Sequence, residues 1–300
     1  MAIEGTREQP GTEHTPLPSG GWERTKALFF RALMHLFLGI WAVIVIFPML
    51  WVLYTSLKTD QEIFFSPWSL PRVMQWDNFF RAWVKVNIGR YFLNSLVVVV
   101  PSLILTLLLS AMTAYVLARF PFPGNRAILY LFISGMMFPV FLGLVPLFFL
   151  LRSLDMLNTF VGLILVYIGY SLPFSIFFLT GFFRSLPSEL HEAAIMDGAN
   201  QYTIFFSIML PLAQPGLVTI GVFNFLGMWN QFILPFVLMS DRKKYVLTQG
   251  LAYMNHQQYY LNDWSALFAA IVVIMVPTLI VYVLFQGQIQ RGLTVGALKG

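Results

Sequence analysis

Six stretches without a single Asp, Glu, Lys or Arg constrain this chain more than anything else in it; they centre on residues 33–53, 92–118, 128–151, 160–183, 213–239 and 264–285. Each reaches the roughly 20 apolar residues that carry an α-helix across the hydrocarbon core of a bilayer. Backbone N–H and C=O groups in lipid must be satisfied within the segment or within a closed barrel, and a barrel would show short alternating strands instead of continuous apolar runs. With 58% hydrophobic and only 10% charged residues, and a mean hydropathy of +0.74, the chain is too apolar for a soluble domain. The predicted fold is therefore an all-α integral membrane protein with six transmembrane helices.

What the spans lack narrows the function. Ionisable side chains inside a membrane usually mark proton relays or ion sites, and only His35, near the start of the first span, could titrate. No Gly-Lys pair occurs, so there is no P-loop to cradle a nucleotide, and neither HExxH, GxSxG nor paired carboxylates within a span are present. No catalytic or metal site is predicted, and no cofactor is expected in this chain. Energy must come from a partner, or the protein is passive; a sodium-coupled carrier using carbonyls and hydroxyls, or a channel, stands as the alternative. The net charge of +5 is the balance of 18 Lys and Arg against 13 Asp and Glu, and the basic residues are spread over the loops without forming a stripe, which suits membrane topology and not nucleic acid. There is no cysteine.

Residues 1–21 are polar and rich in Gly, Pro, Thr and Glu, which predicts a disordered cytoplasmic tail extending to about residue 30, followed by a six-span domain over 31–300. No small-residue cleavage pattern accompanies the first span, so it is expected to be retained. Arg24, Lys26 and Arg31 before that span, and Arg119 and Arg126 in the second loop, favour a cytoplasmic N terminus, although the arrangement places nine Lys/Arg on each side. An even number of spans returns the C terminus to the same face. Outside, residues 55–90 offer Asp77 or Asn78 as a helix cap before an apolar face of Phe79, Phe80 and Trp83. Residues 240–263 carry a polar-aromatic run, Asn255 to Tyr260, and either segment could meet an external partner or pack on the spans.

One polar island interrupts the cytoplasmic side. Between two apolar runs, residues 186–200 hold Glu189, His191, Glu192 and Asp197 together with the small residues Ala193, Ala194 and Gly198. Such a helix leaves the bilayer, and its small residues would let another protein approach its backbone, although an ordinary amphipathic loop helix has the same composition. Pro187 suits the first turn, Glu189 complements the N-terminal dipole, and Gly198 can take the left-handed conformation that ends the helix. A second island lies in the fifth span, where Asn224, Trp229, Asn230 and Gln231 fall between Pro215 and Pro235, so that helix is expected to kink or open. Amides and an indole suit a sugar, hydrogen-bonding its hydroxyls and facing its CH groups, and they equally suit helix packing. Tyr167, Tyr170, Ser171 and the run Met136 to Pro139 are further candidates for a path.

The spacing Glu192-Ala193-Ala194-x3-Gly198-x9-Ile208-x-Leu210-Pro211 resembles the coupling motif of the membrane subunits of bacterial ABC importers. Further matches extend the likeness from about residue 31 to the end: Trp76 to Phe79, Phe92 to Leu96, Ala114 to Gly124 and Gly292 to Gly300 resemble the second permease of maltose-type carbohydrate importers. The resemblance implies a type I ABC importer permease fold with a cytoplasmic coupling helix at about 186–200, in a bacterial plasma membrane with both termini cytoplasmic. It also implies four kinds of partner: a second permease, a cytoplasmic ATPase dimer that carries ATP and Mg, an extracytoplasmic sugar-binding protein, and a carbohydrate substrate. Glu189, Glu192, Ala193, Ala194, Asp197 and Gly198 would couple to the ATPase, with Leu293, Thr294 and Lys299 of the tail nearby. Asn224, Trp229, Asn230, Gln231 and Tyr170 would border the substrate path. The Met136 run and Leu226 to Phe232 are similar to actinobacterial permeases for N-acetylglucosamine and its β-linked dimer.

Overall fold

The computed structural model describes residues 21–297, with side chains for 25–258 and 262–288. The chain separates into two units, residues 1–51 and 52–300. Helix α1 (Gly21–Thr55) begins inside the segment expected to be a tail, so residues 21–30 are helical. The reason is local: past Gly21 no Gly or Pro occurs before Gly39, and the run Glu23 to Ala32 favours a helix. The most apolar window of its span, Thr25–Thr55, contains no buried residue.

After α1 come α2 (Asp60–Phe65), α3 (Asp77–Phe80), which runs on as a π-helix over Arg81–Lys85, and α4 (Ile88–Arg119). Then follow α5 (Asn125–Met137), α6 (Val140–Ser153), α7 (Phe160–Ser185) and α8 (Ser188–Met196). Next, α9 (Gln201–Thr203), a π-helical stretch Ile204–Met209 and α10 (Leu210–Leu212) form one length of helix that leads into α11 (Gln214–Trp229). The chain closes with α12 (Ile233–Leu238), a 3-10 turn at Arg242–Lys244, α13 (Leu247–Leu261) and α14 (Trp264–Ala297).

Among the described residues four helices are long and apolar enough to cross a membrane, or up to six spans if each of two bent pairs counts as one. The third predicted span is one of these pairs, because α5 and α6 meet at 101°. Pro139 causes the break: a residue before proline is driven out of the helical region, and Phe138 sits at φ −78°, ψ 119°. The fifth span also departs from expectation. Its helix stops at Trp229, the chain opens over residues 230–232, and the helix preceding Ala213 joins α11 at 72°. Pro211 and Pro215, which cannot donate to the helix ladder, flank that joint.

Within the larger unit α4 packs along most of α7, and α11 lies against α4, α7 and α14. Close approach is made possible at Gly216, where an added Cβ would stand 2.7 Å from the Phe182 ring. Two apolar clusters result. The larger joins α4, α7, α11, α13 and α14. The smaller joins Ala114, Tyr115, Phe183, Ala194, Ile204 and Phe205 and so reaches the polar island.

Neither Asp77 nor Asn78 caps a helix, contrary to the reading of the sequence. Trp76 holds the N-cap position of α3 without a side-chain bond. Asn78 is buried and donates to the carbonyls of Ser56 and Lys58, each at 2.8 Å. Arg81 binds both oxygens of Asp263, at 3.2 and 3.0 Å, and Ser265 Oγ at 2.8 Å, fixing the segment to the start of α14. Residues 240–263 likewise pack on the chain's own spans: Asn94 donates to the carbonyls of Lys243 and Tyr245, and Leu247 N–H donates to Ser95 Oγ.

Candidate functional site

The polar island folds as a single short helix, α8, seated against the ends of the spans. Pro187 stands one position earlier than expected, as N-cap of α8 at φ −56°, ψ 134°, and Glu189 lies in the first turn. Gly198 ends the helix at φ +79°. Its N–H donates to the carbonyl of Ile195 at 3.0 Å and that of Ala199 to the carbonyl of Ala194 at 3.0 Å, the paired bonds of a Schellman terminus. Asn200 then caps the next helix by accepting from Thr203 N–H at 2.8 Å.

Three contacts fasten α8 to the spans. Ala194 is buried in the smaller cluster, so the expectation that it faces a partner is corrected: at three residues from His191 it falls on the inward side. His191 Nδ1 lies 3.2 Å from the Tyr115 hydroxyl, and its ring packs edge-on to Phe120. Arg119, the last residue of α4, donates from Nη2 to the carbonyl of Leu186 at 2.8 Å. Partial burial and the Arg119 charge hold the His191 imidazole below its ordinary range, with Glu192 opposing them. The Tyr115 hydroxyl also lies 3.4 Å from Gln201 Oε1, so it links α8 to the start of α9.

With that side inward, Glu189, Glu192, Ala193, Asp197 and Gly198 are all exposed. The sequence reading missed the apolar residues among them: Met196 is 86% and Tyr202 77% exposed, and Leu190 and Ile195 also face outward. Apolar side chains recurring through a polar helix on its solvent face were the available signal.

A cavity of about 930 Å³ opens beside the bend between α5 and α6. Met136, Phe138 and Pro139 border it from the bend, Tyr167, Tyr170 and Ser171 from α7, and Asn224, Gly227, Met228 and Gln231 from α11 and its end. No lining side chain carries a charge. Asn224 donates to Ser175 Oγ at 2.8 Å, and Ser175 in turn donates to the carbonyl of Ser171. Gln231 Oε1 accepts from Ile233 N–H at 3.2 Å, which starts α12 across the break.

Two candidates fall elsewhere. Trp229 is buried in the core, where Nε1 donates to the carbonyl of Ile274 at 3.2 Å and the indole stacks on Phe225. Asn230 is exposed outside the cavity lining, its amide turned back to the carbonyl of Leu226. The backbone of Leu293 and Thr294 lies in α14, while their side chains and all of Lys299 lie outside the described residues.

A family model described as the inner membrane component of binding-protein-dependent transport systems matches residues 106–295. The chain belongs to this family. It is 53% identical over 270 residues to the diacetylchitobiose uptake system permease protein NgcG of Streptomyces coelicolor, covering 90% of this chain and 89% of that one. It is 32% identical over 253 residues to the trehalose transport system permease protein SugB of Mycobacterium tuberculosis, covering 84% and 92%. In fold it is similar to a chain of a bacterial ABC transporter involved in the import of the acidic polysaccharide alginate, with a TM-score of 0.78 at 23% identity over 91% of this chain and 99% of that chain. As a member of the binding-protein-dependent family, the protein is a multi-pass membrane permease subunit of ABC type. Nothing in these likenesses supports the sodium-coupled or passive alternative.

Proposed function

We propose that this permease forms half of the translocation path of an ATP-driven importer of neutral oligosaccharides and docks on its ATPase through α8. The observation that carries the reading is α8 itself, capped at Gly198, seated by Ala194 and His191, and presenting carboxylates and apolar side chains outside the spans. A second permease would complete the path, a binding protein outside the membrane would deliver the sugar, and an ATPase pair would hydrolyse ATP with Mg. Both termini, the loop holding Arg119 and Arg126, and α8 then face the cytoplasm of a bacterial cell.

The uncharged cavity favours a neutral sugar, since a uronate would have to shed its hydration without a cationic partner there. Its tyrosines and amides suit hydroxyl and acetamido groups. Together with the relative named for diacetylchitobiose uptake, this favours the β-linked N-acetylglucosamine dimer. α7 connects the two ends, because Ser171 borders the cavity and Ser185 stands three residues before α8, about 21 Å along the helix.

The test is purification under mild conditions followed by reconstitution. Stoichiometric recovery of a P-loop ATPase and a second permease, with uptake of the dimer that requires ATP and the binding protein, is expected. Transport by this chain alone in liposomes without ATP would overturn the proposal, and preference for a uronate over the dimer would overturn the substrate.

A further inference from the structure

The loop between α4 and α5 holds a hollow that translocation and docking do not use. A pocket of about 590 Å³ is bordered by Arg119 at the end of α4 and Arg126 in the first turn of α5. An apolar groove of about 330 Å³, lined by Met112, Val116 and Ile128, adjoins it, because Leu117 and Phe122 border both. One continuous hollow therefore has a cationic head and a greasy stem, at the end of the membrane-spanning segments.

Its electrostatics are unbalanced. Among the described residues neither arginine has a carboxylate partner. Arg119 uses Nη2 on the carbonyl of Leu186, while its Nε is buried without a hydrogen-bond partner. The adjoining end of α5, a 13-residue helix, has Gly124 as its N-cap and so no side-chain acceptor for its first N–H groups. Guanidinium groups pair with phosphate through two parallel hydrogen bonds. A free anion would use the pocket and leave the groove open to water, whereas a phospholipid fills both, and a membrane supplies it at that depth.

We propose that this hollow binds an anionic phospholipid, its phosphate held by Arg119 and Arg126 and one acyl chain laid along the groove between α4 and α5. Since Arg119 also holds the loop that carries α8, the lipid would sit next to the anchorage of the docking helix.

The test uses the assembled transporter in detergent, titrated with phosphatidylglycerol, phosphatidylcholine or inorganic phosphate and read by native mass spectrometry. Phosphatidylglycerol should be retained in preference to phosphatidylcholine. Arg126→Gln, which removes an exposed side chain with no partner in the fold, should weaken that retention about fivefold. Val116→Trp, which fills the groove without altering charge, should weaken it as well. Equal retention of the two lipids, or an unchanged affinity in Arg126→Gln, would overturn the proposal. So would displacement of phosphatidylglycerol by millimolar phosphate with no effect of Val116→Trp, which would assign the pocket to a free anion. Loss of the preference in the complex but not in the isolated chain would assign the groove to the partner permease and overturn it too.

Discussion

Gly198 separates two reasons why α8 could matter. At φ +79° an L side chain costs about 1–2 kcal/mol, yet an ideal Cβ built there has no neighbouring atom within 4 Å. At the Cβ position nothing among the described residues opposes a side chain, which leaves backbone strain as the local cost. Strain of that size shifts the balance between the terminated helix and frayed alternatives roughly 5- to 30-fold without touching the spans, so insertion should survive. Three substitutions resolve the causes. Gly198→Ala brings the strain with a single methyl group; Gly198→Asn keeps the left-handed conformation with little strain but adds a larger side chain; Gly198→Leu adds both. If an ATPase closes over this turn, ATP-driven uptake in proteoliposomes should fall at least as far for Asn as for Ala and collapse for Leu, and retention of the ATPase on the purified permease should fall in parallel. Normal uptake by Gly198→Leu would refute docking at this turn. Normal uptake by Gly198→Asn with impaired Gly198→Ala would leave the glycine a helix terminator only.

Glu192→Ala removes an exposed carboxylate, so coupling of hydrolysis to uptake should weaken no more than about fivefold while the complex stays assembled; loss of assembly on gel filtration would show a buried contact. His191 is held below its ordinary range in the fold, so the stability that it lends α8 is complete above pH about 6.5 and is lost as pH falls below it. Hydrogen exchange of residues 188–200 should accelerate between pH 7 and 5 in the native chain and not in His191→Gln; the same acceleration in both would remove the histidine from the explanation. Trp229→Phe deletes the part-buried bond to the carbonyl of Ile274 and should cost about 1 kcal/mol, seen as a lower Tm with unchanged substrate KM; a KM change at constant Tm would return Trp229 to the path. Single cysteines at 170, 227 and 231 of this cysteine-free chain should react with a small water-soluble thiol reagent at rates that substrate alters, while one at 229 stays inert. Inertness at every site in all nucleotide states would assign the cavity wall to packing.

The helical class was legible because lipid leaves so few ways to satisfy a backbone. The turn at Gly198 was legible for a similar reason, since few residues tolerate its φ. Of the polar residues singled out in the fifth span, Asn224 and Gln231 border the cavity. Trp229 and Asn230 were misassigned with them because polarity alone does not say which way a side chain points; one residue of helix is about 100° of rotation, enough to turn Trp229 into the core. The bend at Pro139 was hidden by hydropathy, which treats Phe138 and Pro139 as part of an apolar run although proline dictates the backbone of its predecessor. Ala194 was misread because the motif does not distinguish the seated side of α8 from the presented one.

The matched motifs acquire a common physical meaning once their polar residues are placed. Asn78 holds the segment after α1 by the carbonyls of Ser56 and Lys58, and Asn94 and Ser95 hold the start of α13. Tyr115 and Arg119 hold the entry and body of α8. Except for Tyr115, which meets the His191 side chain within α8, each of these side chains bonds the backbone of a segment outside the long helices, where an unpaired backbone group is costly once buried. Asn, Ser and Arg are suited to this because they satisfy one or two such groups from a fixed position. The apolar spans can exchange one aliphatic residue for another of similar volume, whereas these anchors cannot be exchanged without freeing a loop. Resemblance concentrated at the anchors and at Gly198 therefore reports which loops must be held still, and α8, held by three contacts on one side and open on the other, is the loop held in order to be presented.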